Sequence, residues 1–268
     1  MENVISHIPL ALFTTFGALG AGAYIGLAIY FFTGKCSDED LKAIDKRTVI
    51  PFVVALIGFI AVLFHVTQPL KAYGVFSGIG SSPLSNEVVA GVIFMVFAAI
   101  YTIMAFVGKL GGARKGLIAV TAVLAVVFGI MMGMAYMVDT IPTWYNPGTV
   151  LQMLGYTLAG SALALVVMGK GEKAASTIKI VALVGILLAV IGVAVQVVIC
   201  MGTSAATASG SAMVASMLPL IVVAAVAAVV ALALMWKSNN ATVACVVLLV
   251  AVFCGRLVFY GMELGIGL

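Results

Sequence analysis

The sequence predicts an all-α integral membrane protein: eight transmembrane helices in a bundle, a single domain over residues 1–268, with both termini on the extracytoplasmic side. Three observations predict it. The chain is 64% hydrophobic and 8% charged, where a soluble domain carries about 25% charged residues, and its mean hydropathy is +1.29. Its apolar residues form long unbroken runs, not the short alternating segments of a barrel. Its basic residues gather in every second connector. In lipid each backbone polar group must be satisfied within its own segment, so such runs fold as helices.

The first span is placed at 9–33 and is rich in glycine (Gly17, Gly20, Gly22, Gly26). The preceding residues lack a basic stretch and run directly into it, so the N-terminus reads as the first helix and not as a signal peptide. The remaining spans fall at 49–66, 87–108, 116–138, 149–168, 177–201, 213–236 and 241–264. Small residues one turn apart (Gly17/Ala21, Gly129/Gly133, Gly155/Ala159) let helices approach closely and read as packing. An even number of spans puts both termini on one side. Eleven of the thirteen Lys and Arg residues lie in the connectors after spans one, three, five and seven, and the other side holds Lys71 alone. Cytoplasmic loops carry the Lys/Arg excess. That places the termini outward and the protein, as a multi-pass chain, in the cell inner (cytoplasmic) membrane. The net charge of +4 is a topology signal, not a nucleic-acid signal.

The connectors differ in kind. Residues 35–47 and 169–176 read as solvated linkers. The outer loop 67–86 is long, and loops of that length in a compact domain are functional or disordered; Tyr73 and Phe76 among its glycines favour function. In the outer loop 139–147, Trp144-Tyr145 suits an interfacial aromatic belt or a partner's docking surface. Residues 201–212 form an uninformative outer connector.

Ionisable residues at membrane depth are costly and mark function by default. Here they are His65, Glu87, Arg256 and Glu263, with His7 and Asp139 at the span ends, and all six gather at the outer face. A proton channel or proton-coupled carrier needs titratable groups at several depths, so both are disfavoured. His65 titrates near neutral pH and can hydrogen-bond a hydroxyl; its bland alternative is an interfacial ring satisfied by water. Glu87 follows Ser85, a candidate N-cap, and in a first turn the helix dipole would favour its charge on structural grounds alone. The pair says more than either member. Two proton acceptors flanking one loop at a bilayer surface match the oxidation of a quinol, which releases two protons and two electrons. Arg256 cannot deprotonate and needs a partner if buried, with Glu87 or Asp139 from a neighbouring helix the candidates. Tyr260, one turn on, would line the same pocket.

Other chemistries find little support. Cys36, Cys200, Cys245 and Cys254 show no C-x-x-C spacing, so no metal site is expected. A b-type haem needs axial ligands, and His7 and His65 both lie at the outer edge, so no haem is expected in this chain. Gly78-Ile79-Gly80 lacks the lysine and strand–helix context of a phosphate loop. A small-molecule transporter is an alternative that eight glycine-bearing helices permit, but its broken helices around a mid-membrane site are not seen. A purely structural anchor without a quinol site is the other.

Several blocks in order carry a family resemblance: His7-Ile8-Pro9-Leu10 with Phe13-Thr14; His65 with Pro69 and Ala72; Leu84-Ser85-Asn86-Glu87; Asp139-Thr140-Ile141-Pro142-Thr143-Trp144-Tyr145; and Gly255-Arg256 with Val258-Phe259-Tyr260-Gly261. Over nearly its whole length the chain resembles the DmsC family, the membrane anchor subunits of dimethyl sulfoxide reductase-type molybdoenzymes. The resemblance implies eight haem-free helices that oxidise menaquinol within a multi-subunit oxidoreductase, without acting on the terminal acceptor. Electrons would pass to an iron–sulfur subunit and on to a catalytic subunit holding molybdopterin guanine dinucleotide. It implies that His65 and Glu87 do the quinol chemistry, with the stretch between them, Lys71 and Tyr73 included, forming part of the pocket; Arg256 and Tyr260 join the candidate quinol-binding residues on the reading of span eight above. The sequence departs from the family pattern in three places: Lys71 stands where an arginine is expected, Thr67 where a glycine is, and Tyr73 replaces another aromatic residue.

Overall fold

The computed structural model describes residues 2–33, 38–65, 69–169, 172–205, 208–237 and 240–265. Eight helical segments in it are long and apolar enough to cross a membrane, and each coincides with one of the eight expected spans. A short helix α1 (Glu2–Ser6) precedes α2 (Ile8–Thr33), the first span. Helices α3 (Asp38–Arg47) and α4 (Val49–Leu63) together make the second. A 3-10 helix, Pro69–Gly78, then leads to α5 (Pro83–Phe106), and α6 (Arg114–Ala135) follows. Helices α7 (Pro147–Ala159) and α8 (Leu163–Met168) form one span, joined by the 3-10 turn Gly160–Ala162. The last three are α9 (Glu172–Gly202), α10 (Gly210–Lys237) and α11 (Ala241–Gly261). Between α9 and α10, Ser204–Ala205 pairs with Ala208–Ser209 in a minimal antiparallel hairpin, the one departure from an all-helical fold among the described residues.

Helix α2 is the axis. It packs against α4, α6, α7 and α11 and is buried on most of its circumference, as expected of a helix that is apolar all round. In lipid there is no hydrophobic force between helices, so close van der Waals packing must hold them. Small residues supply that closeness. A Cβ on Gly22 of α2 would collide with the Thr157 carbonyl of α7. Gly185 and Gly192 of α9 meet the backbone of Ala159 and Gly148 on α7, two turns apart, with no room for a side chain. Two of the three expected packing pairs behave likewise, with Gly129 against Thr157 and Gly155 against Ala189, whereas a Cβ on Gly17 would meet nothing nearer than the Phe128 ring at 3.5 Å. An aromatic cluster fills the wider gaps: Phe94 stacks on Phe128 with centroids 5.8 Å apart, and Phe13 meets Phe59 edge-on at 5.3 Å. Outward-facing valines and isoleucines on α5, α9 and α10 form the lipid-facing surface.

Several expectations need correction. The connector 35–47 is not simply a solvated linker, because within α3 Ile44 is buried and Asp45 forms a two-pronged ion pair with Arg114 of α6. The second prong, Arg114 Nη2 to Asp45 Oδ2, is 2.7 Å. Ser85 is not the N-cap of α5. Pro83 starts the helix, as its fixed φ favours, and Ser82 caps it by accepting from Ser85 N at 3.5 Å. Glu87 therefore lies beyond the first turn, where the dipole no longer accounts for it. The fifth span, expected unbroken, is interrupted at Gly160–Ala162, yet that turn is buried, with Gly160 against Leu19 of α2. Trp144 is no belt residue: it is buried against α11, while Tyr145 is exposed.

Candidate functional site

Arg256, Glu87, Gln152 and Gln196, polar groups that the spans bury, converge at one end of the bundle, the end where the first and last described residues lie. Helix α11 organises it. As α11 ends, Glu263 N bonds the Tyr260 carbonyl instead of reaching back to Phe259. The freed Phe259 carbonyl accepts from Trp144 Nε1 (3.2 Å) and from Gln196 Nε2 of α9 (3.0 Å). Leu264 N then donates to Thr143 Oγ1 at 3.3 Å, fixing the backbone beyond the helix.

Arg256 sits inside this frame with no solvent exposure. Its Nε donates to Thr14 Oγ1 of α2 (2.8 Å) and its Nη1 to Gln152 Oε1 of α7 (3.2 Å). The guanidinium carbon lies 4.2 Å from the Phe259 ring centroid, 4.6 Å from Tyr260 and 5.1 Å from Tyr136. Such desolvated cation–π contacts contribute about 2 kcal/mol or more. The expected ion pair is absent: among the described residues no carboxylate bonds Arg256, and Asp139 is exposed. Helix-borne neutral acceptors and aromatic faces hold the cation instead.

Glu87 reaches the same chamber from α5. It is 4% exposed, and it interacts electrostatically with both Arg256 and Tyr136 without bonding either. Tyr136, at the end of α6, shares a 2.5 Å hydroxyl–hydroxyl bond with Tyr260. His7, in the break between α1 and α2, stacks on Tyr260 with centroids 5.0 Å apart and bonds Glu263 Oε2 through Nε2 at 2.9 Å. Its ring centroid is 6.0 Å from that of His65, which is itself exposed at the end of α4.

Buried polar atoms are nearly always hydrogen-bonded. Among the described residues, Glu87 Oε1, Arg256 Nη2, Gln152 Nε2 and His7 Nδ1 are all buried without a partner. Glu87 and Arg256, coupled electrostatically yet with no bond between them among the described residues, each keep an atom to spare for a polar ligand.

The structure thus brings Glu87, Arg256 and Tyr260 together, and ties His65 to them through His7. The side chains of Lys71 and Tyr73, and Thr67 as a whole, lie outside the described residues. Sequence reasoning noted His7 and Glu263 by position but missed their bond, and it missed Thr14, Tyr136 and Gln152. One signal was available, since Gln152 and Gln196 are the only glutamines inside spans, where an amide needs a partner.

The YnfH subunit of anaerobic dimethyl sulfoxide reductase from Escherichia coli (strain K12) is 35% identical over 170 residues, covering 63% of this protein and 60% of that one. The C subunit of anaerobic dimethyl sulfoxide reductase from the same organism is 36% identical over 193 residues, 60% of this protein and 66% of that one. The corresponding C subunit from Haemophilus influenzae (strain ATCC 51907 / DSM 11121 / KW20 / Rd) is 31% identical over 150 residues, 54% and 52%. The match thus spans between about half and two thirds of the length of these relatives. The DMSO reductase anchor subunit (DmsC) family matches residues 1–262. A multi-pass membrane protein by its eight helices, the chain belongs to the DMSO reductase anchor subunit (DmsC) family.

Proposed function

We propose that this protein is the membrane anchor of a dimethyl sulfoxide reductase-type complex and oxidises a quinol, menaquinol in the resemblance, at the outer face of the inner membrane. The observation that carries this reading is the buried, unpaired juxtaposition of Glu87 and Arg256. A quinol hydroxyl placed between them finds a proton acceptor in Glu87. It finds in Arg256 a fixed cation that stabilises the oxyanion formed as the proton leaves. His65, nearer the surface, takes the second proton. The two electrons leave one at a time to an iron–sulfur cluster of a partner subunit docked on this end, and from there to a molybdopterin guanine dinucleotide catalytic subunit. With both termini outward, protons are released on the side where the partners consume them, so the anchor itself conserves little energy.

Glu87→Gln and His65→Ala test this in the assembled complex. Quinol-driven turnover should fall by about 10²-fold or more, the usual contribution of a positioned acid–base group, while turnover with an artificial soluble donor stays intact. Equal loss of both activities would mean failed assembly, and retention of quinol-driven turnover would refute the assignment. A purely structural anchor would bind no quinone analogue at all. A transporter would show substrate flux in vesicles holding this protein alone.

A further inference from the structure

We infer that His7 and Glu263 form the proton exit of this site: His7 collects protons at Nδ1 from the buried chamber and hands them from Nε2 to Glu263, which releases them to water. The geometry has an inside, a relay and an outside. Inside, the Tyr136–Tyr260 hydroxyl pair (2.5 Å) adjoins Glu87 and Arg256. Tyr260 is also the ring on which His7 stacks, and His65 is the other ring facing His7, with Trp144 edge-on as a non-titrating wall at 6.4 Å. Of the two imidazole nitrogens, Nε2 is committed to Glu263 Oε2 at 2.9 Å, and Nδ1 is buried with no partner among the described residues. The side chains of His7 and Glu263 are 19% and 26% exposed, so the carboxylate reaches water while the ring remains half inside.

An imidazole is suited to this task because it can take a proton at one nitrogen and lose another from the other. The carboxylate fixes the neutral tautomer with hydrogen on Nε2, leaving the Nδ1 lone pair free. A proton arriving at Nδ1 makes the imidazolium. The Nε2 proton then moves to Glu263 Oε2, and the carboxylic acid loses it to bulk water. One proton enters and one leaves; tautomer exchange restores the ring. No electrons pass this way, since they go to the partner's iron–sulfur cluster. The break between α1 and α2 serves the relay: the His7 carbonyl accepts from Ala11 N at 2.8 Å, so the backbone is anchored while the ring projects out of the helix toward α11.

This relay rests on quinol oxidation at the Glu87–Arg256 chamber, and the test separates the two. In the assembled complex, His7→Gly and Glu263→Gln are compared with the parent for quinol-driven turnover, artificial-donor turnover, and binding of a hydroxyquinoline N-oxide quinone analogue. His7→Gln serves as the variant that keeps a side chain in place. The relay predicts quinol-driven rates lower by about 10-fold or more in all three, with analogue binding and artificial-donor turnover unchanged. Added imidazole should restore His7→Gly, in which the ring's volume is vacated, but not Glu263→Gln. Parental rates in His7→Gln and Glu263→Gln would overturn the relay alone. Loss of rate together with analogue binding, without imidazole rescue, would make His7 a shaping residue and also overturn it. If the parent complex binds no analogue, quinol oxidation here falls, and the relay with it.

Discussion

Arg256 is a cation with no solvent exposure and, among the described residues, no carboxylate in bonding distance, held by a threonine, a glutamine and three aromatic rings. Desolvating a guanidinium is expensive, and neutral partners offset only part of that cost. Glu87 is coupled to Arg256 electrostatically through space from α5. Arg256→Lys should therefore be far from conservative, because an ammonium cannot lie flat on the Phe259 ring and fork to Thr14 and Gln152. A loss of quinol-driven turnover of about 10-fold or more, with the complex still assembled, is expected from steady-state assays. The through-space coupling is measurable too. Thermal denaturation of Glu87→Gln, Arg256→Gln and the double variant should give a coupling energy of about 0.5–3 kcal/mol, the single changes each being worse than additivity allows. A coupling of zero would mean that the two charges do not share a chamber. The candidates Glu87 and Arg256 were legible in the sequence because charge inside a span is rare, and Tyr260 because it lies one turn beyond Arg256. Their partners were not, since Thr14 lies 242 positions from Arg256 and Gln152 lies 104 away.

Helix contacts in this bundle depend on glycine at the closest approaches. Gly185 abuts Ala159 and Gly155 across the α7–α9 contact, and a larger residue there must push the two backbones apart. Gly185→Leu should destabilise by about 1–3 kcal/mol or more, read as a lower melting temperature in detergent and a lower yield of assembled complex. Because α7 carries Gln152 and α9 carries Gln196, the same variant should also loosen the Arg256 frame and slow quinol-driven turnover. The ion pair between Asp45 and Arg114 ties α3 to α6 at the far end. The pair is part-buried, so breaking it from one side costs less than a fully buried pair's value of about 3–5 kcal/mol, and Asp45→Ala should lower the melting temperature without touching quinone-analogue binding. Spans were legible from unbroken hydropathy. The N-cap of α5 was misread because Ser82 and Ser85 are both plausible caps, and Pro83 between them decides the choice by its fixed φ.

At the scale of the whole molecule, the eight spans bring the first and last segments together, so that a bond between residues 7 and 263 closes the bundle. The side of the membrane on which that end lies rests on the Lys/Arg asymmetry. Single cysteines in a cysteine-free background test it: Asp139→Cys should react with an impermeant maleimide added outside intact cells, and Lys109→Cys only after the membrane is opened. Both positions are exposed, so a failure to label would report topology and not burial. The reverse pattern would place the site on the cytoplasmic side and remove the partner arrangement proposed above.

The sequence by itself determined the number of spans, their approximate bounds and the end of the bundle where ionisable groups collect. Those features follow from local hydropathy and from the cost of charge in hydrocarbon, which each residue registers on its own. Only the tertiary structure decided what those groups do to one another. Arg256 rests on neutral partners and aromatic faces instead of a carboxylate, Glu87 stays buried and unpaired beside it, and His7 joins Glu263. Partnership at membrane depth is set by which helix faces meet. That depends on glycine contacts and helix-end geometry across more than two hundred residues of sequence, which hydropathy does not record.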